Sequence, residues 1–140
     1  MNLVDNLVRT AAVRGDRVAV SLDDNHLTYT QLDDASARVA GWLAELGVRP
    51  GGRVGIMLPN LVEFPIIYYG VLRAGAVVVP MNPLFKRREI EYYLTDSGAS
   101  VLFAWEGLAA EAEAGSDAAG AALVLVDARF VAQLADHDHV

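Results

Sequence analysis

The 140 residues are 54% hydrophobic and carry 11 basic against 18 acidic side chains, for a formal net charge of −7. That is enough apolar material for one folded unit with a core, and too little chain for two domains of ordinary size. The lack of any cysteine excludes disulfides, a thiol nucleophile and a cysteine metal site. The lack of a basic face argues against nucleic-acid binding.

In chain order, Leu3, Leu7 and Ala11 share one face, which predicts a short helix from about Leu3 to Val13 ending near Gly15. Val18 to Leu22 and His26 to Tyr29 flank Asp23-Asp24-Asn25 and predict a β-hairpin. Thr30 with Asp33 three residues on reads as a capping box. Leu32, Ala35, Val39, Leu43 and Leu46 then repeat at helical spacing as far as Gly47. Arg53 to Leu58 is a short apolar run between glycine and proline, which predicts a buried strand. The next helix carries Phe64, Ile67, Tyr68, Val71 and Leu72 on one face and ends at Gly75. A start at Asn60 would make Pro65 a kink, whereas a start near Phe64 would put the ring at a tolerated position.

Ala76 to Val79 predicts a strand that stops at Pro80, and Arg87 to Thr95 a helix with Ile90, Tyr93 and Leu94 inward. Val101 to Trp105 and Leu123 to Val126 are two further continuous apolar runs. Such runs alternating with helices indicate an α/β fold, a mainly parallel sheet flanked by helices with an N-terminal β-hairpin. The Ala- and Gly-rich stretch Glu106 to Ala122 predicts one weak helix and a loop. From Glu106 on there are seven acids against the single base Arg129, so the first 105 residues are close to neutral. His137 and His139 flank Asp138 at the C-terminus and read as a frayed tail without a metal role.

Leu61 to Met81 is apolar enough to raise a membrane span. Glu63 and Arg73 argue against it, since a charge near mid-span costs about 2.5–3.5 kcal/mol, and Pro65 and Pro80 break the pattern further. The first residues place Asp5 where a signal peptide would be basic, so a cytoplasmic protein with no transmembrane segment is expected.

Few residues invite a chemical reading. Gly51, Gly52 and Gly55 precede and enter a strand instead of joining a strand to a helix, so they predict a turn and not a nucleotide fingerprint. Tyr68, Tyr69, Tyr92, Tyr93, Trp42 and Trp105 at helical and strand positions predict core, not a ligand pocket. Asp33-Asp34 and Asp23-Asp24 read as caps and turns. Lys86-Arg87-Arg88 is the one basic cluster, and it opens a helix, where cations oppose the helix dipole and direct attention to an anion.

Five phrases carry a family resemblance when taken in register. They are Leu27-Thr28-Tyr29-Thr30-Gln31-Leu32, Gly47 to Val54, Leu58-Pro59-Asn60, Val71-Leu72-Arg73-Ala74-Gly75-Ala76 running on to Pro80-Met81-Asn82-Pro83, and Arg88-Glu89-Ile90 to Ala99. The chain resembles the opening of the AMP-forming acyl-CoA synthetases of the adenylate-forming superfamily, with Gly52 standing where that family usually has Asp. The resemblance is strongest over residues 27 to 99. It implies that residues 1 to 140 are the first part of the large N-terminal domain of a ligase for a fatty or other carboxylic acid, aryl acids included. Such an enzyme uses ATP, Mg²⁺ and coenzyme A to form an acyl-adenylate and then a thioester.

The family's Ser/Thr/Gly-rich phosphate loop is not in the sequence. The only lysine, Lys86, has no Gly-rich run before it and does not match the catalytic lysine. The resemblance therefore implies an inactive isolated chain with no catalytic or metal residue and no cofactor expected on it. Arg87 and Arg88 become candidates for a phosphate of coenzyme A in the full enzyme. A second reading stays open: a short non-catalytic binding or assembly module with the same subdomain fold, self-associating through the surface that a missing remainder would cover.

Overall fold

The computed structural model describes residues 3–22 and 25–137. The proposed turn residues Asp23 and Asp24, and His139, lie outside these. Helix α1 (Val4–Arg14) is followed by strands β1 (Val18–Leu22) and β2 (Asn25–Thr28), which pair antiparallel as the expected hairpin. Helix α2 (Tyr29–Glu45) then leads to strand β3 (Arg53–Met57), helix α3 (Glu63–Arg73), strand β4 (Val77–Pro80), helix α4 (Arg87–Ser97) and strand β5 (Val101–Trp105). A 3-10 turn at Glu106–Leu108 runs into helix α5 (Ala109–Ala119), strand β6 (Ala122–Val126) and a short helix α6 (Phe130–Gln133), which ends in a 3-10 turn at Leu134–Asp136. The four strands β4-β3-β5-β6, in that order, form an all-parallel sheet.

Alternation along each strand divides the core in two, because successive side chains point to opposite faces. Val54, Ile56, Val101, Phe103, Val124 and Val126 join the larger core, which α2 and α3 cover together with the hairpin, α1 and α6. Met57, Leu102 and Ala104 face the other way, onto Ile90 and Leu94 of α4 and Ala112 of α5. Burial on both faces explains why these strands read as unbroken apolar runs.

Each face is closed by a helix pair that meets across a glycine. A Cβ on Gly70 of α3 would lie 2.3 Å from Val39 Cγ1 of α2, and one on Gly115 of α5 would lie 2.5 Å from Ile90 Cγ2 of α4. Gly115 therefore turns the weak, Ala-rich segment into a tightly seated helix. Its stability comes from packing more than from propensity.

Two expectations change and one open alternative is decided. The cap of α2 is Thr28, not Thr30: the Thr28 hydroxyl accepts from Gln31 N–H (3.1 Å) and the Gln31 side chain accepts from Thr28 N–H (2.9 Å). Thr28 can cap because its backbone is still extended at the end of β2, whereas Thr30 is already helical. Helix α3 starts at Glu63, so Pro65 falls at its third residue, where an N–H has no intrahelical acceptor to lose, and the proline imposes no kink. His137 is not frayed. Phe130 and Leu134 are fully buried, and they bring His137 down onto Trp42 of α2.

Candidate functional site

The chain leaves β3 through α3 on one face of the sheet and leaves β5, its neighbour, through α5 on the other. In open parallel sheets a crevice forms outside the carboxyl ends of the strands where the winding changes sides, and ligands bind there. Here that rim consists of Leu58-Pro59-Asn60 after β3, Met81 to Lys86 after β4, and Glu106 to Leu108 after β5.

The β4–α4 loop is tightly built. Met81 N–H extends the sheet pairing to Ile56 O (2.9 Å), and Asn82 then folds the chain back. Its side-chain oxygen accepts from Leu84 N–H (2.9 Å) and its carbonyl from Phe85 N–H (3.0 Å), an Asx turn of the kind Asn favours. Between this loop and the start of α5 lies a groove of about 320 Å³ lined by Leu84, Phe85, Lys86, Leu108 and Glu111 among others.

Lys86, Arg87 and Arg88 stand exposed at the N-terminus of α4, beside that groove. Among the described residues, none of the three has an ion-pair partner. Carboxylates of the protein itself also stand at this helix end. Glu89 accepts from Lys86 N–H (3.3 Å), and Glu111 Oε2, in the first turn of α5, accepts from Arg87 N–H at 2.6 Å. Two carboxylates at a helix N-terminus offset the unfavourable placement of the cations. Glu111 went unnoticed in the sequence because 24 residues separate it from Arg87. The only local signal was an acidic residue opening an Ala-rich helix.

The other candidates separate clearly. Tyr92 and Tyr93 are exposed, contrary to the expected core role, because α4 buries Ile90 and Leu94 instead; Tyr93 stacks on Phe85 at 4.8 Å. Trp42 and Trp105 are packed against the larger core and Tyr69 is partly buried there, as expected. Gly51 and Gly52 form the turn before β3, and Gly55 lies within β3 against Leu94 and Leu102. Asp34 pairs with Arg38 one helical turn on (3.2 Å), while Asp33 pairs with Arg73 of α3. Neither carboxylate reaches the rim. Among the described residues no group of three or more His, Cys, Asp or Glu is placed to hold a metal, and no helix is long and apolar enough to cross a membrane.

Comparison with known proteins agrees with this architecture. The family model described as "AMP-binding enzyme" matches residues 7–139. A long-chain-fatty-acid–CoA ligase of Escherichia coli O6:H1 is 39% identical over 102 residues, covering 72% of this chain and 18% of the relative. A benzoate CoA ligase from Burkholderia xenovorans LB400 superposes on the whole chain with a TM-score of 0.92 at 26% identity, and the chain covers 29% of it. The N-terminal domain of FACL13 from Mycobacterium tuberculosis also superposes on the whole chain, with a TM-score of 0.86 at 28% identity over 37% of that domain. The chain thus spans less than a third of the ligase lengths it matches. With its α/β fold and its sequence matching along nearly the full length, the chain belongs to the AMP-binding enzyme family.

Proposed function

We propose that the protein is an acid–CoA ligase that activates a fatty or aryl carboxylic acid. The carboxylate attacks the α-phosphate of ATP, with Mg²⁺ offsetting phosphate charge, and pyrophosphate leaves. The coenzyme A thiol then displaces AMP from the acyl-adenylate to give the thioester. The observation that carries this reading is the joint match to a fatty-acid–CoA ligase in sequence and to a benzoate CoA ligase along the whole fold. Those two relatives bracket the fatty and aryl substrate classes. Residues 1–140 do not catalyse the reaction alone on this reading, since they contain no glycine-rich phosphate loop and a single lysine in a loop of different context.

Within that enzyme, Arg87 and Arg88 contact a phosphate of coenzyme A. Their side chains are exposed at the sheet's carboxyl rim and carry no competing ion pair among the described residues. In the full-length protein, replacing both with Ala should raise the KM for coenzyme A several-fold. Acid-dependent exchange of pyrophosphate into ATP, which reports adenylate formation alone, should be unchanged. An unaltered KM for coenzyme A would remove both arginines from the site, and absence of acid-dependent exchange with any fatty or aryl acid would refute the ligase reading.

A further inference from the structure

We propose that Glu111 is a built-in counter-anion that limits how tightly the basic end of α4 holds coenzyme A, and so eases departure of the thioester product. This rests on the reading of Arg87 and Arg88 as phosphate contacts. Glu111 sits in the first turn of α5 and accepts from the first N–H of α4 at 2.6 Å, so one carboxylate serves two helix N-termini. Both helix dipoles favour negative charge there, which anchors the group instead of leaving it to swing into solvent. It also lines the same groove as Lys86.

Two consequences follow for a phosphate arriving at Arg87 and Arg88. The backbone donor that a helix N-terminus would otherwise offer to an anion is already occupied. A fixed negative charge also stands beside the approaching one, and between exposed groups screened by water and salt such repulsion changes affinity by a small multiple. Glu89 and Glu111 both bring negative charge to the helix end that carries Lys86, Arg87 and Arg88. Glu89 is tied to its own helix through Lys86 N–H, while Glu111 reaches across from a separate helix.

The substitution Glu111→Gln keeps a carbonyl oxygen for Arg87 N–H and removes the charge. In the full-length protein the KM for coenzyme A should fall about threefold, the scale of an exposed charge interaction, with the KM values for ATP and acid and the adenylate-forming rate unchanged. Glu111→Ala, which also frees the Arg87 N–H, should lower it at least as far. If the double arginine variant raises the KM for coenzyme A while both Glu111 variants leave it unchanged or raise it, the counter-anion is overturned and the phosphate contacts stand. If the double arginine variant has no effect, both fall together, because no phosphate site remains for Glu111 to oppose. A purely structural Glu111 would lower the melting temperature without lowering the KM.

Discussion

The imidazole of His137 lies flat against the indole of Trp42, with ring centroids 4.3 Å apart and planes 11° from parallel. Phe130 stacks on the same indole at 5.9 Å, and Arg38 donates to the His137 carbonyl at 2.8 Å. The imidazole Nδ1 is 2.9 Å from Glu45 Oε2. The last described residues are thereby clasped to α2 by an aromatic stack, a backbone contact and a side-chain pair.

Removing that clasp should be measurable. His137→Ala should cost about 1 kcal/mol in urea unfolding, the scale of an aromatic pair beyond its area burial. It should also change the fluorescence of Trp42. The variant Trp42→Phe/His137→Ala, compared with Trp42→Phe alone, should show the emission change absent, since Trp105 is the only other tryptophan.

The two helix pairs should resist even a methyl group. Gly70→Ala and Gly115→Ala each force a Cβ to within 2.5 Å or less of a β-branched side chain on the facing helix. Overpacking at such contacts costs about 1–3 kcal/mol, and the expected outcome is a lower melting temperature in both. An Ala at either position with unchanged stability would show that the helices can move apart freely.

Arg73, the basic residue of the Arg-Ala-Gly-Ala phrase, should behave as a staple. It is mostly buried, its Nη2 pairs with the Asp33 carboxylate, and its Nε has no partner. Arg73→Ala leaves the Asp33 charge partly buried without its partner and should cost about 2–3 kcal/mol. Arg73→Lys should recover only part of this, since one ammonium cannot match the planar fork. Chemical denaturation of the three proteins distinguishes the cases.

The capping assignment has its own test. Thr28→Ala should cost about 1 kcal/mol by removing the acceptor for Gln31 N–H. Thr30→Ala should be nearly neutral, because Thr30 is exposed within the first turn. Equal losses in thermal unfolding would return the cap to Thr30.

Elements whose signal is local were legible in the sequence. The strand Val101–Trp105 stands where its apolar run predicted, and β3 and β6 differ from their predicted ranges by one residue at one end. Turn glycines and the hairpin followed from backbone chemistry that each segment carries in itself. At the site, the basic cluster was visible because its three cations are contiguous.

What needed the tertiary structure involves residues far apart in the chain. A glycine within a helix reads as a weakness until Val39 or Ile90 is seen against it, and Tyr93 looked inward with Ile90 and Leu94 until α4 was seen to bury only the latter two. The C-terminal residues looked frayed because nothing near them in sequence announces Trp42. Composition, periodicity and short motifs determined the α/β class, the element order and the family resemblance, since these depend on interactions within about one helical turn or strand. Which face each helix covers, which carboxylate meets the α4 N-terminus and where Phe130 to His137 dock were decided only by packing, because burial and electrostatics act on distance in space.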